Sequence, residues 1–410
     1  SQVTLMNKIV NFENESKRLG ILLDEVKLIQ NALKKYGGKF FLVGGNVRDL
    51  ILKNAQTTHS DLVCNLPINK VVKALNEKKI KISKVGLKYG SIVAHLKKVS
   101  FDITSMRKDL ETDGRFAKIK FTNDIIHDAR RRDFTINSIY CDMDGNLIDP
   151  LNGIKDLKEK KIKFIGRADD RIKEDYLRIL RFIRFSLLYS KKFNSDDFIA
   201  CKKYQKNISK LSFERRINEL GKILTLRNVE DKNVLKKLTS FFSHALDSNI
   251  DIHNFEKLCK LEKKLGRISK VRRIKFLTRN VKRKLKFLNV FSKKSKDRIL
   301  YKFNFKKNTE HQITKEILEK TDDQIYDCII INYADGLIDI QRANSLIKKT
   351  IKIKKKLFPI NGRDLLDLGF RKGKKIGEIL AEIEEWWIIN DLKPKKNQCL
   401  KYAKEKLPSS

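Results

Sequence analysis

The 410-residue sequence has a hydrophobic fraction of 41% and carries 91 Lys and Arg against 50 Asp and Glu, a formal charge of +41. This apolar content excludes a globally disordered chain, and the length predicts two to four domains. The positive charge predicts a polyanionic partner, most simply nucleic acid. An anionic membrane surface is the alternative, but we expect no membrane association, because the sequence shows neither a transmembrane run nor a signal peptide.

Six cysteines are scattered along the chain without any CxxC pair. Such spacing is typical of a protein of the reducing cytoplasm and gives no indication of structural zinc. We therefore expect a cytoplasmic protein, and nothing in the sequence implies a protein partner. The cysteines are Cys64, Cys141, Cys201, Cys259, Cys328 and Cys399.

A glycine turn after the first predicted strand is the first candidate site. Residues 1–38 are predicted to form a helix pair, and the apolar run Phe40–Val43 is of strand type. Gly44 and Gly45 follow directly and allow a triphosphate to approach the N–H groups at the start of the next helix. Arg48, one turn into that helix, can reach the same anion. A plain strand-to-helix turn with a surface arginine is the alternative.

The pattern from residue 39 to about 145 is of α/β type, and nearly everything after about 125 is helical, so the predicted fold class is α+β. The segment 108–115 (KDLETDGR) is predicted to be a mobile polar loop between two strands. Strands are predicted at 40–43, 61–64, 91–96, 99–104 and 117–121, with a helix near 68–78.

Two aspartates on separate predicted strands are candidate metal ligands. Asp61 begins one strand, and Asp102 lies within the FDIT segment of a later one. Phosphoryl transfer with two metal ions requires clustered carboxylates close to a triphosphate cradle. We expect both aspartates to lie on the sheet face beside Gly44 and Gly45. A turn or cap role for each of them is the alternative.

A second cluster, Arg130-Arg131-Arg132-Asp133 followed by FTIN, is too charged for a core. A solvated helix start is the alternative interpretation to a nucleotide contact.

The segment 174–185 (EDYLRILRFIRF) is predicted to be one continuous amphipathic helix on which Asp175, Arg178, Arg181 and Arg184 recur every three residues. Asp175 can only accept hydrogen bonds and Arg178 can only donate them. Cytosine and adenine present an amino donor beside a ring-nitrogen acceptor, whereas uracil and guanine present a carbonyl beside an N–H. The pair therefore matches C and A. Ordinary i,i+3 salt bridges are the alternative.

Residues 251–310 carry 21 Lys and Arg against 5 Asp and Glu, a local charge of +16. Their run VRRIKFLTRNVKRKLKFL alternates basic and apolar residues at helical spacing, which predicts a face that binds phosphates. A helix with one solvated cationic face is the alternative. A domain boundary is predicted near 355–360.

Four motifs in order, LVGGxVRD, an acidic strand, RRDFTIN and EDYLRILRFIRF, resemble the class II tRNA nucleotidyltransferases. This family of the DNA polymerase beta superfamily comprises the CCA-adding enzymes and the bacterial poly(A) polymerases. The resemblance is close over about 40–225, including SFERRINELGKIL, and looser for FPINGRDLLDLGF and the later Glu-Glu-Trp-Trp. It implies a nucleotidyltransferase head (1–145), a helical neck (146–225), a basic helical body (226–357) and a tRNA-binding tail (358–410).

The resemblance also implies an activity and its residues. The chain would add C and A from CTP and ATP to the 3′ end of tRNA with release of pyrophosphate, using Mg²⁺ or Mn²⁺ held by Asp61, Asp102 and His59. The nucleotide-binding residues implied by the family motifs are Gly44, Gly45, Arg48, Arg132, Asp133, Asn137, Asp175, Arg178, Arg181 and Arg184.

One position departs from the family pattern. The family carries Asp-x-Asp on the acidic strand, whereas this chain has His59-Ser60-Asp61. A neutral imidazole suits magnesium poorly. Three explanations stay open: the site works with a weakened metal, the alignment slips locally, or catalysis is impaired.

Three alternative functions also stay open. They are a poly(A) polymerase of the same family, a split CC-adding or A-adding enzyme, and a catalytically silent tRNA-binding protein. The KDLETDGR segment favours full CCA addition or A addition.

Overall fold

The computed structural model describes residues 5–54, 60–96, 99–113, 116–190, 192–280 and 288–407. The chain divides into two compact units, one of residues 1–229 with 240–247 and one of residues 230–239 with 248–410. The finer division into head, neck, body and tail stays a prediction.

The first unit is built on a mixed sheet. Its strands and those of a separate hairpin are Leu5–Lys8 (β1), Phe40–Val43 (β2), Asp61–Cys64 (β3), Lys81–Ser83 (β4), Ser91–Leu96 (β5), Val99–Ser105 (β6), Arg107–Asp113 (β7), Phe116–Phe121 (β8), Tyr140–Cys141 (β9) and Asn146–Ile148 (β10). Within the described ranges, the sheet order is β1-β10-β9-β2-β3-β6-β5-β4. All neighbouring strands are antiparallel except β3 and β6, which run parallel.

The centre of the sheet confirms the strands predicted from apolar runs. Phe40, Leu42 and Val43 of β2 are buried because this strand lies between β9 and β3. A continuous apolar run is typical of such a strand, which is covered on both faces. Val43 packs in one core cluster with Val63 and Tyr140. The short strands β1, β4, β9 and β10 were not predicted, because none of them contains an apolar run of three or more residues.

The segment predicted as a polar loop is a strand. Residues 107–113 form β7, which pairs antiparallel with β8 from Arg107 opposite Phe121 to Asp113 opposite Phe116. The loop prediction is therefore wrong for 108–113, while 114–115 lie outside the described residues. Backbone pairing forms this hairpin although polar residues have low strand propensity, since tertiary context routinely overrides that preference.

Helices complete the first unit. They are Phe12–Arg18 (α1), Leu23–Leu33 (α2), Gly45–Leu52 (α3), Ile68–Glu77 (α4), Ile125–Arg130 (α5), Gly153–Lys158 (α6), Ala168–Glu174 (α7), Leu177–Tyr189 (α8), Ser195–Tyr204 (α9) and Phe213–Leu224 (α10). The helix Lys232–Leu246 (α11) contains residues assigned to each unit.

The second unit is helical, as the sequence predicts. Its helices are Ile252–Leu265 (α12), Lys270–Leu277 (α13), Lys293–Leu300 (α14), Glu310–Glu319 (α15), Asp322–Ala334 (α16), Ile340–Lys354 (α17), Gly362–Asp367 (α18), Lys374–Ile389 (α19) and Lys396–Lys404 (α20). No helix in the described part of the chain has the length and apolar content needed to cross a bilayer.

Part of the predicted phosphate-binding face is instead buried in the second unit. Arg272 and Arg273 are only 2% and 1% exposed, and both bind the Glu262 carboxylate, at 2.8 and 2.6 Å. Lys275 is buried as well. A buried charge requires a partner of opposite sign, so these cations belong to the core. The prediction is wrong for these three residues, and 281–287 of the same run lie outside the described residues.

The close approach of α6 to the 3₁₀ helix Thr135–Asn137 depends on Gly153, which gives the first testable prediction. A Cβ at Gly153 would lie 2.2 Å from the backbone oxygen of Thr135. We expect Gly153→Ala to lower the free energy of unfolding by ~1–3 kcal/mol, as overpacking does. Urea unfolding measures the change.

Gly377 is the matched control, because a Cβ there meets no described atom within 4 Å and the residue lies inside α19. Gly377→Ala should raise stability by ~0.5–1 kcal/mol. Equal effects of the two substitutions would contradict the packing argument.

Candidate active site

The glycine turn joins β2 to α3. Gly44 has φ +71° and ψ −123°, a backbone conformation that residues with a side chain rarely adopt, and Gly45 is the first residue of α3. A Cβ at Gly44 would lie 3.7 Å from Oδ2 of Asp61. The turn therefore lies beside the carboxylate that begins β3, and its positive φ is what requires glycine there.

The two predicted metal-binding aspartates lie side by side. Asp61 and Asp102 are directly opposite each other in the parallel pairing of β3 with β6. Paired residues of neighbouring strands point to the same sheet face, and the strands are about 4.8 Å apart. Both aspartates are exposed. On the other side of β3, Asp61 pairs with Val43, the residue before Gly44. The structure therefore brings two carboxylates to neighbouring positions, and carboxylate oxygens are the donors that Mg²⁺ prefers.

The third predicted metal ligand, His59, lies outside the described residues. Within the described ranges, no group of three or more His, Cys, Asp or Glu side chains is arranged to hold a metal ion.

A buried chain of hydrogen bonds connects three of the sequence motifs. Arg48 of α3 donates from Nη1 to Oδ1 of Asn137. Asn137 in turn donates from Nδ2 to Oδ1 of Asp133 at 2.8 Å. Arg181 of α8 donates from Nε and Nη2 to Oδ2 of Asp133, both at 2.6 Å. The glycine turn, the RRRDFTIN motif and the long helix are therefore held together by one carboxylate.

The environment of Asp133 keeps it ionised. Burial alone would raise the pKa of this carboxyl group, but the charge of Arg181 and hydrogen bonds from Asn137 and the N–H of Phe134 lower the pKa to about 2. The carboxylate therefore keeps its negative charge, and its two strong partners, throughout the physiological pH range.

Three arginines also surround the ring of Phe185 on α8. The guanidinium carbons of Arg48, Arg181 and Arg184 lie 5.1, 5.3 and 4.3 Å from the centre of the ring. Contacts of this kind stabilise a cation over an aromatic face. The arrangement places three guanidinium groups around one ring, and two of them, those of Arg181 and Arg184, are each paired with a carboxylate.

Arg132 is held by a carboxylate that the sequence analysis missed. Its Nη2 lies 2.9 Å from Oδ2 of the buried Asp128, and its Nε donates to the hydroxyl oxygen of Tyr140 at 3.0 Å. Burial raises the pKa of Asp128, but Arg132 and Arg131 outweigh it and lower the pKa to about 2. The signal in the sequence was an acid three and four residues before two arginines.

The predicted helix over 174–185 is broken at Asp175. This residue is extended, with φ −158° and ψ 108°, between the end of α7 at Glu174 and the start of α8 at Leu177. Oδ1 of Asp175 accepts from the N–H of Leu177 at 3.1 Å. An aspartate side chain competes in this way with helical hydrogen bonds, so the break needs neither glycine nor proline. The predicted i,i+3 placement of Asp175 and Arg178 on one helix is wrong.

The two predicted base-reading residues have separate partners. Asp175 pairs with Arg215 of α10, whereas Arg178 pairs with Glu174 and donates to the carbonyl oxygen of Arg171 at 2.8 Å. The side chains of Arg171, Glu174 and Arg215 were not among the predicted site residues.

Arg184, the last of the four charged residues predicted on this helix, pairs with the buried Glu219 of α10. Glu219 and Arg215 belong to the SFERRINELGKIL segment, which the family resemblance had singled out. Only the folded chain identifies the ion-pair partners of these two side chains.

Comparisons with known proteins agree with this architecture. Residues 40–163 match the family described as "Poly A polymerase head domain". The protein named "CCA tRNA nucleotidyltransferase 1, mitochondrial" from Mus musculus is 30% identical over 403 residues, which cover 94% of this chain and 91% of the mouse protein. A protein named "CCA-adding enzyme" from Lactococcus lactis is 28% identical over 393 residues, covering 92% and 94%.

Solved structures share the fold over nearly the whole chain. The Bacillus stearothermophilus CCA-adding enzyme in complex with CTP has a TM-score of 0.63 at 21% identity, covering 94% of this chain and 97% of its own. The Thermotoga maritima CCA-adding enzyme complexed with tRNA has a TM-score of 0.62 at 19% identity, covering 98% and 99%. The predicted α+β fold class is confirmed.

The low pKa of Asp133 predicts a pH-dependent contribution to stability. Its folded-state pKa of about 2 lies below the ~3.9 of an unfolded aspartate. The ionised side chain therefore stabilises the folded protein, on the order of 2 kcal/mol, above pH ~3.9 and loses this contribution as the pH falls toward 2. In urea unfolding across this range, the stability gap between the wild type and Asp133→Asn should narrow.

Asp170→Asn is the control, because this aspartate is exposed and pairs with the exposed Arg167. A gap between the wild type and Asp133→Asn that stays constant from pH 5 to pH 2 would contradict the assigned ionisation.

Proposed function

The chain belongs to the class II family of CCA-adding tRNA nucleotidyltransferases, and we propose on this basis that it adds C and A from CTP and ATP to the 3′ end of tRNA. The reaction is attack of the terminal 3′-hydroxyl on the α-phosphate of the nucleotide, with release of pyrophosphate. The observation that carries the proposal is the direct pairing of Asp61 with Asp102 beside the glycine turn, in a chain related to these enzymes along 94% of its length.

Asp61 and Asp102 are the proposed metal ligands. They would hold Mg²⁺ or Mn²⁺, which lowers the pKa of a bound hydroxyl and neutralises charge on the phosphates. Two exposed carboxylates on one sheet face fit this requirement. His59 is proposed as a further ligand because it occupies the position of the family's first aspartate.

The other residues divide the work of holding the nucleotide. We assign the triphosphate to the glycine turn and the arginines around it, the sugar to Asn137, and the base edge to Asp175 and Arg178. Asp133, which the family motif also implies for the sugar, acts through Asn137, because Phe134, Asn137 and Arg181 fill its acceptor positions. The guanidinium groups around Phe185 support the first assignment, since oriented cations stabilise the charge that develops on phosphates. The triphosphate residues are Gly44, Gly45, Arg48, Arg132, Arg181 and Arg184.

A poly(A) polymerase is the second candidate function. The specific observation in its favour is that residues 40–163 match a family described by that activity. The two functions differ in the product, because one stops after completing CCA and the other continues with A.

We propose that the protein works in a reducing compartment, most simply the cytoplasm. All six cysteines are buried and none forms a disulfide, which suits a reducing environment. The mouse and human relatives are named as mitochondrial, so the choice of the cytoplasm goes beyond what the relatives support.

The proposed function is tested by incubating the protein with tRNA that lacks its CCA end, all four triphosphates and Mg²⁺ or Mn²⁺, and then sequencing the 3′ ends. Molecules ending in CCA support the proposal. Products ending after CC or made only by A addition identify a split enzyme, and long A tails identify a poly(A) polymerase. An unchanged 3′ end on a tRNA that the protein binds identifies a silent tRNA-binding protein.

Loss of either paired aspartate should abolish nucleotide addition. We expect Asp61→Ala and Asp102→Ala to lower the rate of addition by about two to three orders of magnitude or more, because a group that stabilises the transition state is removed. The affinity for tRNA should stay close to that of the wild type. Single-turnover incorporation and a tRNA-binding titration measure the two quantities.

Asp170→Ala removes an exposed aspartate of the same unit and should keep its activity. His59→Asp, measured alongside, should raise the rate with Mg²⁺ relative to Mn²⁺ if this position ligates the metal. Full activity of Asp102→Ala would contradict the assigned metal site.

A further inference from the structure

The orientation of the Asp175 side chain is not set by a helix. Asp175 lies in the extended break between α7 and α8, so its carboxylate is placed by contacts rather than by helical geometry. A side chain that selects a base must be held in one orientation before the base arrives, since flexibility there reduces discrimination.

Arg215 supplies that orientation through a two-pronged contact. Its Nη1 donates to Oδ1 of Asp175 at 3.2 Å and its Nη2 donates to Oδ2 at 2.7 Å. Oδ1 also accepts from the N–H of Leu177 at 3.1 Å. A carboxylate has about four acceptor positions, two on each oxygen. Oδ1 is therefore fully used, whereas the described residues leave one position of Oδ2 for a further donor.

Arg215 is itself anchored on α10 by its surroundings. Glu219, one turn later on the same face of α10, pairs with Arg184 of α8. Two ion pairs therefore connect α10 to the segment 175–184. In one of them α10 supplies the cation, Arg215, and in the other it supplies the anion, Glu219. This arrangement fixes the position of α10 against α8 and, through it, the position of the Arg215 fork.

The ion pair of Arg215 with Asp175 is expected to contribute little to the free energy of unfolding. The side chains of Arg215 and Asp175 are 25% and 26% exposed. Ion pairs with this exposure are screened by solvent and stabilise a fold only weakly. A purely structural role therefore predicts small effects on every measurement, and a positioning role predicts a selective effect on base choice.

We propose that Arg215 is a positioning residue for base selection, which holds the Asp175 carboxylate so that Oδ2 accepts the amino group of cytosine or adenine. The inference rests on the proposed function. Arg215 would not contact the nucleotide itself. It would determine the orientation in which Asp175 meets the base.

The test compares Arg215→Ala, Arg215→Lys and the wild type in single-nucleotide incorporation on tRNA with each of the four triphosphates. Arg215→Ala should reduce the preference for CTP and ATP over UTP and GTP by about tenfold, less than the loss of Asp175 itself. Arg215→Lys should restore part of the preference, because it returns the charge without the fork. Equilibrium binding of CTP and UTP should show the same change in ratio.

Arg227→Ala is the matched control, because it removes an exposed arginine just beyond the end of α10. It should leave the base preference unchanged, and thermal melts should differ little among all variants. An Arg215→Ala protein that keeps the wild-type ratio, or increases it, overturns the inference while the proposed function stands. A wild-type protein that does not discriminate among the four nucleotides overturns the proposed function and the inference with it.

Discussion

The buried carboxylate of Asp133 is the constraint on which the candidate site depends. An ionised group taken out of water must be paired and hydrogen-bonded, or its burial is prohibitively unfavourable. Arg181 comes from α8 and Asn137 connects to Arg48 at the glycine turn, so satisfying this one charge fixes three segments that are far apart in sequence. The low pKa of Asp133 is the thermodynamic expression of the same constraint.

Four aspartates of the first unit are of two kinds. Asp61 and Asp102 are exposed and lie at paired positions of β3 and β6. Asp128 and Asp133 are buried and neutralised by arginines that they hold in place. Under the proposed function, cations positioned in this way would need no reorganisation for a phosphate to bind, which is the basis of electrostatic stabilisation in enzymes.

The sequence predicted the elements whose signal is local. The apolar run of β2, the glycine turn and the order of the two acidic strands were read correctly because periodicity and turn chemistry depend on neighbouring residues. The break at Asp175 escaped prediction because its carboxylate accepts from the N–H of Leu177, a bond that the apolar periodicity of the segment does not show. The burial of Arg272 escaped prediction because its partner Asp327 is distant in sequence. The family motifs likewise indicated the segment that forms α10, but they did not identify the ion-pair partners of its charged side chains, which are distant in sequence.

A double-mutant cycle between Asp133 and Arg181 tests the central claim most directly. CTP affinity is measured for the wild type, Asp133→Asn, Arg181→Gln and the double variant. If the buried pair holds the site together, each single variant loses affinity, and the double variant loses no more than the weaker-binding single variant, because the second change removes a charge already left unpaired. Losses that simply add in the double variant would contradict the account.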